Sequence, residues 1–295
     1  MAPGWVSTLL SYIIYNLYQW PVMDESFFRG GAFIFSLSVF AVAEAAWPRR
    51  QKSQPVVSRW AINLSFAFIN MALTRLLLGS AAVAAAAVAS ERGWGALNYF
   101  AVPEPAAFVL SFAIMDFSIY AQHILSHYLP VFWRLHLAHH TDLDFDVTTA
   151  SRFHPVEIIV SMVYKMAVVA AIGADPLSVV VFEVFLNAFA QFNHSNLALP
   201  GRLDDALRRV IVTPDMHRIH HSTLPEETNS NFGSILSVWD RAGGTYRREA
   251  RKPQEEIDIG LREYRDPEEL SWTGLMTIPL TAKTDPGPNR RRKPY

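Results

Sequence analysis

All ten histidines of the 295-residue chain fall between His123 and His221, and eight of them form three tight clusters. These are His123-Ile-Leu-Ser-His127, His136-Leu-Ala-His139-His140 and His217-Arg-Ile-His220-His221. Neutral imidazole is a common metal ligand, and residues three and four apart share one face of a helix. Each His-X-X-His-His triplet therefore projects three nitrogen donors within a narrow arc. Two triplets, a His-X3-His pair and nearby single histidines supply more nitrogen than one three-histidine site uses, so a binuclear centre is the economical expectation. With no cysteine in the chain, thiolate and iron–sulfur ligation are excluded; nitrogen ligation leaves zinc, copper, iron and nickel open. His194, in Phe192-Asn193-His194-Ser195-Asn196, is expected to join the ligands. His154, in Arg152-Phe153-His154-Pro155, stands open between a ligand and a structural group.

These clusters need a scaffold, and the composition says which kind. Hydrophobic residues make up 51% of the chain and charged residues 18%. The apolar residues are concentrated in long runs, which points to membrane-crossing helices. A first span is expected from about Gly31 to Trp47, ending at Pro48-Arg49-Arg50-Gln51-Lys52. A second runs from near Trp60 to Ala89, interrupted by Arg75. Thirty helical residues reach roughly 45 Å, so it must tilt, bend or overshoot a bilayer core. A third runs from about Ala106 into the first histidine cluster. Val156–Ile172 and Leu177–Phe192 flank the turn Gly173-Ala174-Asp175-Pro176 and read as a helical hairpin. Lys165 and Glu183 sit at similar depth on its two arms and are expected to pair, because an isolated charge there is costly.

Basic residues set the expected orientation. The loop Arg49–Arg59 holds four positive charges, whereas Ser90–Pro105 holds only Arg92. A cytoplasmic Arg49–Arg59 loop brings every histidine to the cytoplasmic side, along with Gly201–Tyr295 and its sixteen Lys or Arg residues. The N-terminal 28 residues carry no Lys or Arg, so no signal peptide is expected; Thr8–Trp20 suggests an interfacial helix. Thr281–Tyr295, rich in Pro and basic residues, is expected to be disordered. A net charge of −1 gives no reason to expect nucleic acid. The fold class is thus all-α: polytopic membrane helices, about four to five membrane segments including the hairpin, with a cytoplasmic histidine-rich helical cap. The expected organisation is membrane-anchoring helices over 1–115, a metal-binding catalytic domain over 116–246 containing the hairpin 156–192, and a polar segment over 247–295.

The stretch from about Asp116 to Tyr246 resembles the fatty acid hydroxylase/sterol desaturase superfamily of integral-membrane di-iron oxygenases. The likeness rests on Asp116-Phe117, the three histidine boxes with Trp133 before the second, and Arg152-X-His154-Pro155-X-Glu157. It continues through Asn193-His194-Ser195-Asn196, Thr213-Pro214, Asn231-Phe232-Gly233 and Trp239-Asp240. Ile124 and Ala242-Gly243 depart from the family's usual residues without removing a histidine. The resemblance implies two iron ions, O2 as co-substrate, and hydroxylation or desaturation of a C–H bond in a bilayer lipid. Its ligands are then His123, His127, His136, His139, His140, His194, His217, His220 and His221. No flavin is expected, because no nucleotide-binding glycine motif is present, and no haem, whose two axial positions would leave six clustered histidines unexplained. Electrons must come from an external donor, a ferredoxin or a b-type cytochrome with its reductase.

Metal-bound histidines usually donate their second N–H to a carboxylate, carbonyl or water. Asp116, two turns before His123, and Asn193 are the first candidates for that role. Glu157, Asp215 and Asp240 follow, with Asp215 also suited to a helix N-terminus. Two other classes compete. A metal transporter would place His and Asp at mid-membrane on two or more spans. A b-type haem protein needs two axial histidines and leaves six clustered ones unexplained.

Overall fold

Proline and glycine set the ends of the long helices. The computed structural model describes residues 22–284, and among these every regular element is helical, with only isolated β-bridges between loops. The expectation for Thr8–Trp20 lies outside the described residues, as does that for Thr281–Tyr295 beyond residue 284, whereas Lys283 and Thr284 are ordered by hydrogen bonds to Tyr264 and Trp133. In order, the long elements are α1 (Val22–Ala46), α2 (Val56–Leu78), α3 (Ala81–Arg92), the single turn α4 (Ala96–Tyr99) and α5 (Glu104–Tyr128). Then come α6 (Pro130–His140), a 3-10 turn (Val147–Ser151), α7 (Pro155–Ile172) and α8 (Pro176–His194). Shorter helices follow: α9 (Gly201–Leu207), α10 (Pro214–His220), α11 (Pro225–Thr228), α12 (Val238–Ala242) and α13 (Trp272–Thr277). Proline occupies the first turn of α5, α6, α7, α8 and α10, where its missing N–H costs nothing.

Among the described residues, five stretches are long and apolar enough to cross a membrane: Phe27–Ala46, Val56–Tyr99, Glu104–Tyr128, Pro155–Ile172 and Pro176–His194. This is a multi-pass membrane protein. The second crossing is neither straight nor continuous, for it breaks at Gly79, in the left-handed region at φ 59°, and Ser80. Below the break, α2 belongs to the histidine end. Its Asn70 donates to the Phe153 carbonyl at 2.9 Å, and Asn63 donates to Asp142 at 3.1 Å. Above the break, alanine-rich α3 packs Ala82 and Ala86 against Val169, Ala174, Val179 and Phe182 of the hairpin. At the far end the backbone of Gly95 lies directly on that of Gly173. A Cβ on Gly95 would fall 2.1 Å from the Gly173 nitrogen, so neither position has room for a side chain.

The expected hairpin forms as read, with Asp175 accepting from Ser178 N at 3.0 Å to cap α8. Lys165 Nζ meets Glu183 Oε1 at 2.7 Å, and a second cation not expected from the spacing, Arg29 of α1, reaches Glu183 Oε2 at 2.6 Å. α1 runs alongside α8, with Ser36 against Gln191 and Phe40 against Phe192.

At the histidine end, the chain after His140 is bound down by alternating aspartates. Asp142 takes Asn63 and Thr149; Asp144 takes the backbone N–H groups of Ser53 and Gln54; Asp146 takes Lys52, Arg59 and Trp60. The segment beyond residue 246 packs into the same body. Leu261, Tyr264, Leu275 and Ile278 are buried against Phe66, Trp133 and Leu137, and Ile257 and Ile259 against Phe145 and Ile219.

Removing one partner of a buried ion pair strands the other charges. Glu183→Ala, which removes the carboxylate that Lys165 and Arg29 share and strands the buried Lys165, is expected to destabilise the protein by about 3 kcal/mol. The check is thermal unfolding in detergent; an unchanged midpoint would show the pair to be dispensable.

Candidate metal centre

The C-terminal part of α5 carries His123 and His127, α6 carries His136, His139 and His140, α8 ends on His194, and α10 brings His217 and His220, with His221 just past its end. Their ring nitrogens gather into two groups, in each of which the ligand atoms lie within 4.8 Å of one another. One holds His123, His127, His136, His140 and His220; the other holds His139, His194, His217 and His221. The helical pitch explains the division. In each triplet the i,i+4 pair faces one group and the middle histidine, rotated away, faces the other. α6 thus gives His136 and His140 to the first group and His139 to the second, while α10 gives His217 and His221 to the second and His220 to the first. All nine gather at one end of the spans, which is not the mid-membrane row a transport pathway needs.

In four of the nine rings a hydrogen bond fixes which nitrogen points inward. Nδ1 of His123 bonds the Phe232 carbonyl at 2.8 Å, Nδ1 of His220 the Ser230 carbonyl at 2.8 Å, and Nδ1 of His194 the Ala190 carbonyl at 2.7 Å. A carbonyl can only accept, so these bonds hold the proton on Nδ1 and leave Nε2 as a lone pair. Nδ1 of His136 likewise meets Glu157 Oε1 at 2.6 Å. The Nε2 atoms of His123, His136 and His220, and both ring nitrogens of His221, are buried without a hydrogen-bond partner. Such atoms are rare in folded proteins and each calls for an explanation. Burial, reinforced by neighbouring imidazoles, pushes His139, His140, His217, His220 and His221 well below the usual histidine pKa, which keeps them in the neutral, metal-ligating form.

Nε2 of His194 lies 3.1 Å from Nε2 of both His139 and His217, and Nε2 of His127 lies 3.1 Å from Nε2 of His140. About 3 Å is the spacing of neighbouring nitrogen ligands that each sit roughly 2.1 Å from a shared ion. Convergent neutral lone pairs at that spacing fit a pair of metal ions. Aromatic rings keep the surroundings dry. Phe153 stacks on His139 at 4.2 Å and 11°, Phe145 lies against His194 and His221, and Phe232 touches His123, His127 and His220.

Of the supporting residues expected from sequence, Asp116, Asn193, Asp215 and Asp240 hold groups other than the clustered rings, and the open position of His154 is resolved as a helix cap. Asp116 holds no histidine: its carboxylate accepts from Ile235 N, Leu236 N and Trp239 Nε1, at 3.3, 3.0 and 2.8 Å, and so anchors the loop before α12. Asn193 donates to the Ser234 carbonyl at 2.9 Å and pins the same loop. His154 lies in neither group; its Nδ1 caps α7 by accepting from Val156 N, and its Nε2 meets the Met276 carbonyl at 3.1 Å. Asp215 pairs with Arg49 and Arg218, and Asp240 accepts from Phe232 N, Gly233 N and Thr245. Glu157 alone of the carboxylates proposed from sequence reaches a clustered ring. The groups that reading missed are backbone carbonyls, which leave no residue signature, and the three phenylalanines. Asn231, at φ 55°, turns the chain so that both Ser230 and Phe232 present carbonyls to the histidines.

Comparison with known proteins follows the same boundaries. The fatty acid hydroxylase family model matches residues 108–245, which include every histidine. An ornithine lipid hydroxylase of Rhizobium tropici is 32% identical over 159 residues, 52% of this chain and 46% of that protein. An alkylglycerol monooxygenase of Homo sapiens is 24% identical over 196 residues, 66% of this chain and 43% of that protein. A Delta(7)-sterol 5(6)-desaturase of Aspergillus fumigatus is 27% identical over 218 residues, 69% of this chain and 59% of that protein. The matched stretch thus spans less than half of the first two proteins and less than two thirds of the third. No solved structure matches the chain.

His154→Ala removes a cap and not an inward-facing lone pair. The expected result is unchanged bound metal with a stability loss of about 1 kcal/mol. Metal analysis beside thermal unfolding checks this, and a variant that loses metal would return His154 to the ligand set.

Proposed function

Because the chain belongs to the fatty acid hydroxylase/sterol desaturase superfamily, we propose that it is a membrane-bound di-iron oxidoreductase that hydroxylates a C–H bond of a lipid. The reaction is R–H + O2 + 2 e⁻ + 2 H⁺ → R–OH + H2O, with both electrons delivered by a separate ferredoxin, or by a b-type cytochrome and its reductase. The observation that carries this reading is the sorting of nine imidazoles, eight of them buried and His123 half-buried, into a five and a four at the end of the apolar helices. His123, His127, His136, His140 and His220 hold one iron; His139, His194, His217 and His221 hold the other. Once bound, the irons supply the redox capacity to activate O2 and break an aliphatic C–H bond.

The chain's own residues do the rest. Glu157 and the carbonyls of Ala190, Ser230 and Phe232 orient the rings, and Phe145, Phe153 and Phe232 exclude water. A narrow apolar cleft of about 100 Å3 between α5, α6 and α7 is lined by Leu125, Phe132, Leu135 and Val160 and reaches Glu157. An acyl or sterol-like chain approaching through it from the bilayer would stop beside His136. The catalytic unit is 116–246, anchored by the helices before it, with the following segment closing the cap. The basic residues Arg49, Arg50, Lys52 and Arg59 lie at the histidine end, which by the positive-inside tendency supports a cytoplasmic position for that end.

Desaturation of the same C–H bond is favoured by the likeness to the sterol desaturase. Hydroxylation is preferred, since the ornithine lipid hydroxylase and the alkylglycerol monooxygenases align as well. Lipid mass spectrometry of cells with and without the gene separates the two: gain of one oxygen supports hydroxylation, and loss of two hydrogens without oxygen rejects it. His139→Ala and His220→Ala, one from each group, are expected to lower bound iron and reduce turnover to background while the protein remains in the membrane. Full activity in both would reject the ligand assignment. Glu157→Gln, which loosens His136, is expected to weaken metal affinity by about 10- to 100-fold, read by competition with a chelator.

A further inference from the structure

A second built site lies away from the histidines. A pocket of about 260 Å3 is lined by Arg208, Arg209, Arg241, Arg248, Tyr246 and Asp205. Arg208, only 6% exposed, pairs with Asp204 and donates to the Arg248 carbonyl at 2.9 Å, while its buried Nε has no partner. Arg241 donates to the Arg208 carbonyl at 2.8 Å and lies over the Tyr246 ring at 3.8 Å. Arg248 engages Asp205 at 2.9 Å. Asp204 and Asp205 are thus each already matched by one guanidinium, and the buried Asp240 is taken up by Phe232 N, Gly233 N and Thr245. Among the described residues, neither Arg209 nor Arg241 has a carboxylate within salt-bridge distance. Two uncompensated guanidiniums, one of them fixed by a carbonyl and an aromatic face, with an unpartnered buried N–H behind them, make a preorganised anion site.

Its position selects the source of the anion. The loop leading into α12 is tied to Asn193 at the end of α8 and to Asp116 on α5, and its Ser237 donates to the Arg208 carbonyl, which brings the pocket beside the end of α8. Leu203 is 46% exposed and Val210 56% exposed beside the exposed Arg202 and Arg209. Apolar side chains interleaved with arginines are the composition of a segment lying in a membrane interface. We propose that this pocket binds the phosphate of an anionic phospholipid headgroup, with the acyl chains beside Leu203 and Val210. The site depends on the membrane setting and not on the oxidation chemistry.

The test is native mass spectrometry of the detergent-solubilised, metal-loaded full chain, titrated with phosphatidylglycerol, phosphatidylcholine, inorganic phosphate or polyglutamate. The wild type is expected to retain phosphatidylglycerol in preference to phosphatidylcholine. The double variant Arg209→Ala, Arg241→Ala is expected to bind it about 30-fold more weakly, at roughly a factor of five per interfacial arginine. Unchanged iron content and melting temperature in the variant confirm the fold. Should the double variant not fold, Arg209→Glu at the exposed position is expected to show the same direction. Equal retention by wild type and variants overturns the proposal. So does inorganic phosphate binding as tightly as the lipid, which makes the site one for a soluble anion, or arginine-dependent binding of polyglutamate without lipid preference, which makes it a protein-docking surface.

Discussion

A buried imidazole nitrogen without a partner costs about 1–3 kcal/mol, and this chain gathers several such atoms in one place. Folding tolerates that only if the rings are held by something stronger than their mutual aversion. For four of the nine rings, His123, His136, His194 and His220, the hold comes from the opposite side of the ring. Carbonyls of Phe232, Ser230 and Ala190 and the carboxylate of Glu157 fix Nδ1 and so aim Nε2 inward. The loops that supply those groups are themselves secured: Asn231 bridges the Met216 and Arg247 carbonyls, and Asp240 gathers the N–H groups of Phe232 and Gly233. The polar network away from the centre therefore exists largely to keep a few lone pairs pointed at one another.

That network joins segments far apart in sequence. Glu44 at the end of α1 accepts from Val147 N and Asn196 N, linking the first crossing to the segments after His140 and after His194. Lys52 and Arg59 clamp Asp146, and Arg152 donates to the Ala138 carbonyl at the back of α6. The nominal anchor helices and the polar C-terminal stretch are thus structural parts of the cap, since Phe66 and Tyr264 share one core with Trp133.

The histidine arrangement was legible because helical pitch is a strong constraint: spacings of three and four dictate a face, and the clusters land on it. The hairpin and its Lys165–Glu183 pair were legible for the same reason, since proline, glycine and depth leave few choices. Asp116 was not. Its spacing from His123 predicts a shared face, yet a loop more than one hundred residues later takes that carboxylate first. Arg29 escaped notice because pairing across α1 and α8 has no local periodicity. Backbone carbonyls escaped for a deeper reason: a residue's identity says nothing about where its C=O points.

The interruption at Gly79-Ser80 has a mechanical meaning. A continuous rod from Val56 to Arg92 would act as a lever, carrying any tilt of the far end into the aspartate clamp around Asp142 and Asp146. Two shorter rods, one seated on the cap and the other on the hairpin, meet at a joint where such torque is dissipated. Thickness changes in the surrounding bilayer can then be absorbed by the upper rod and the hairpin, while the histidines keep their alignment.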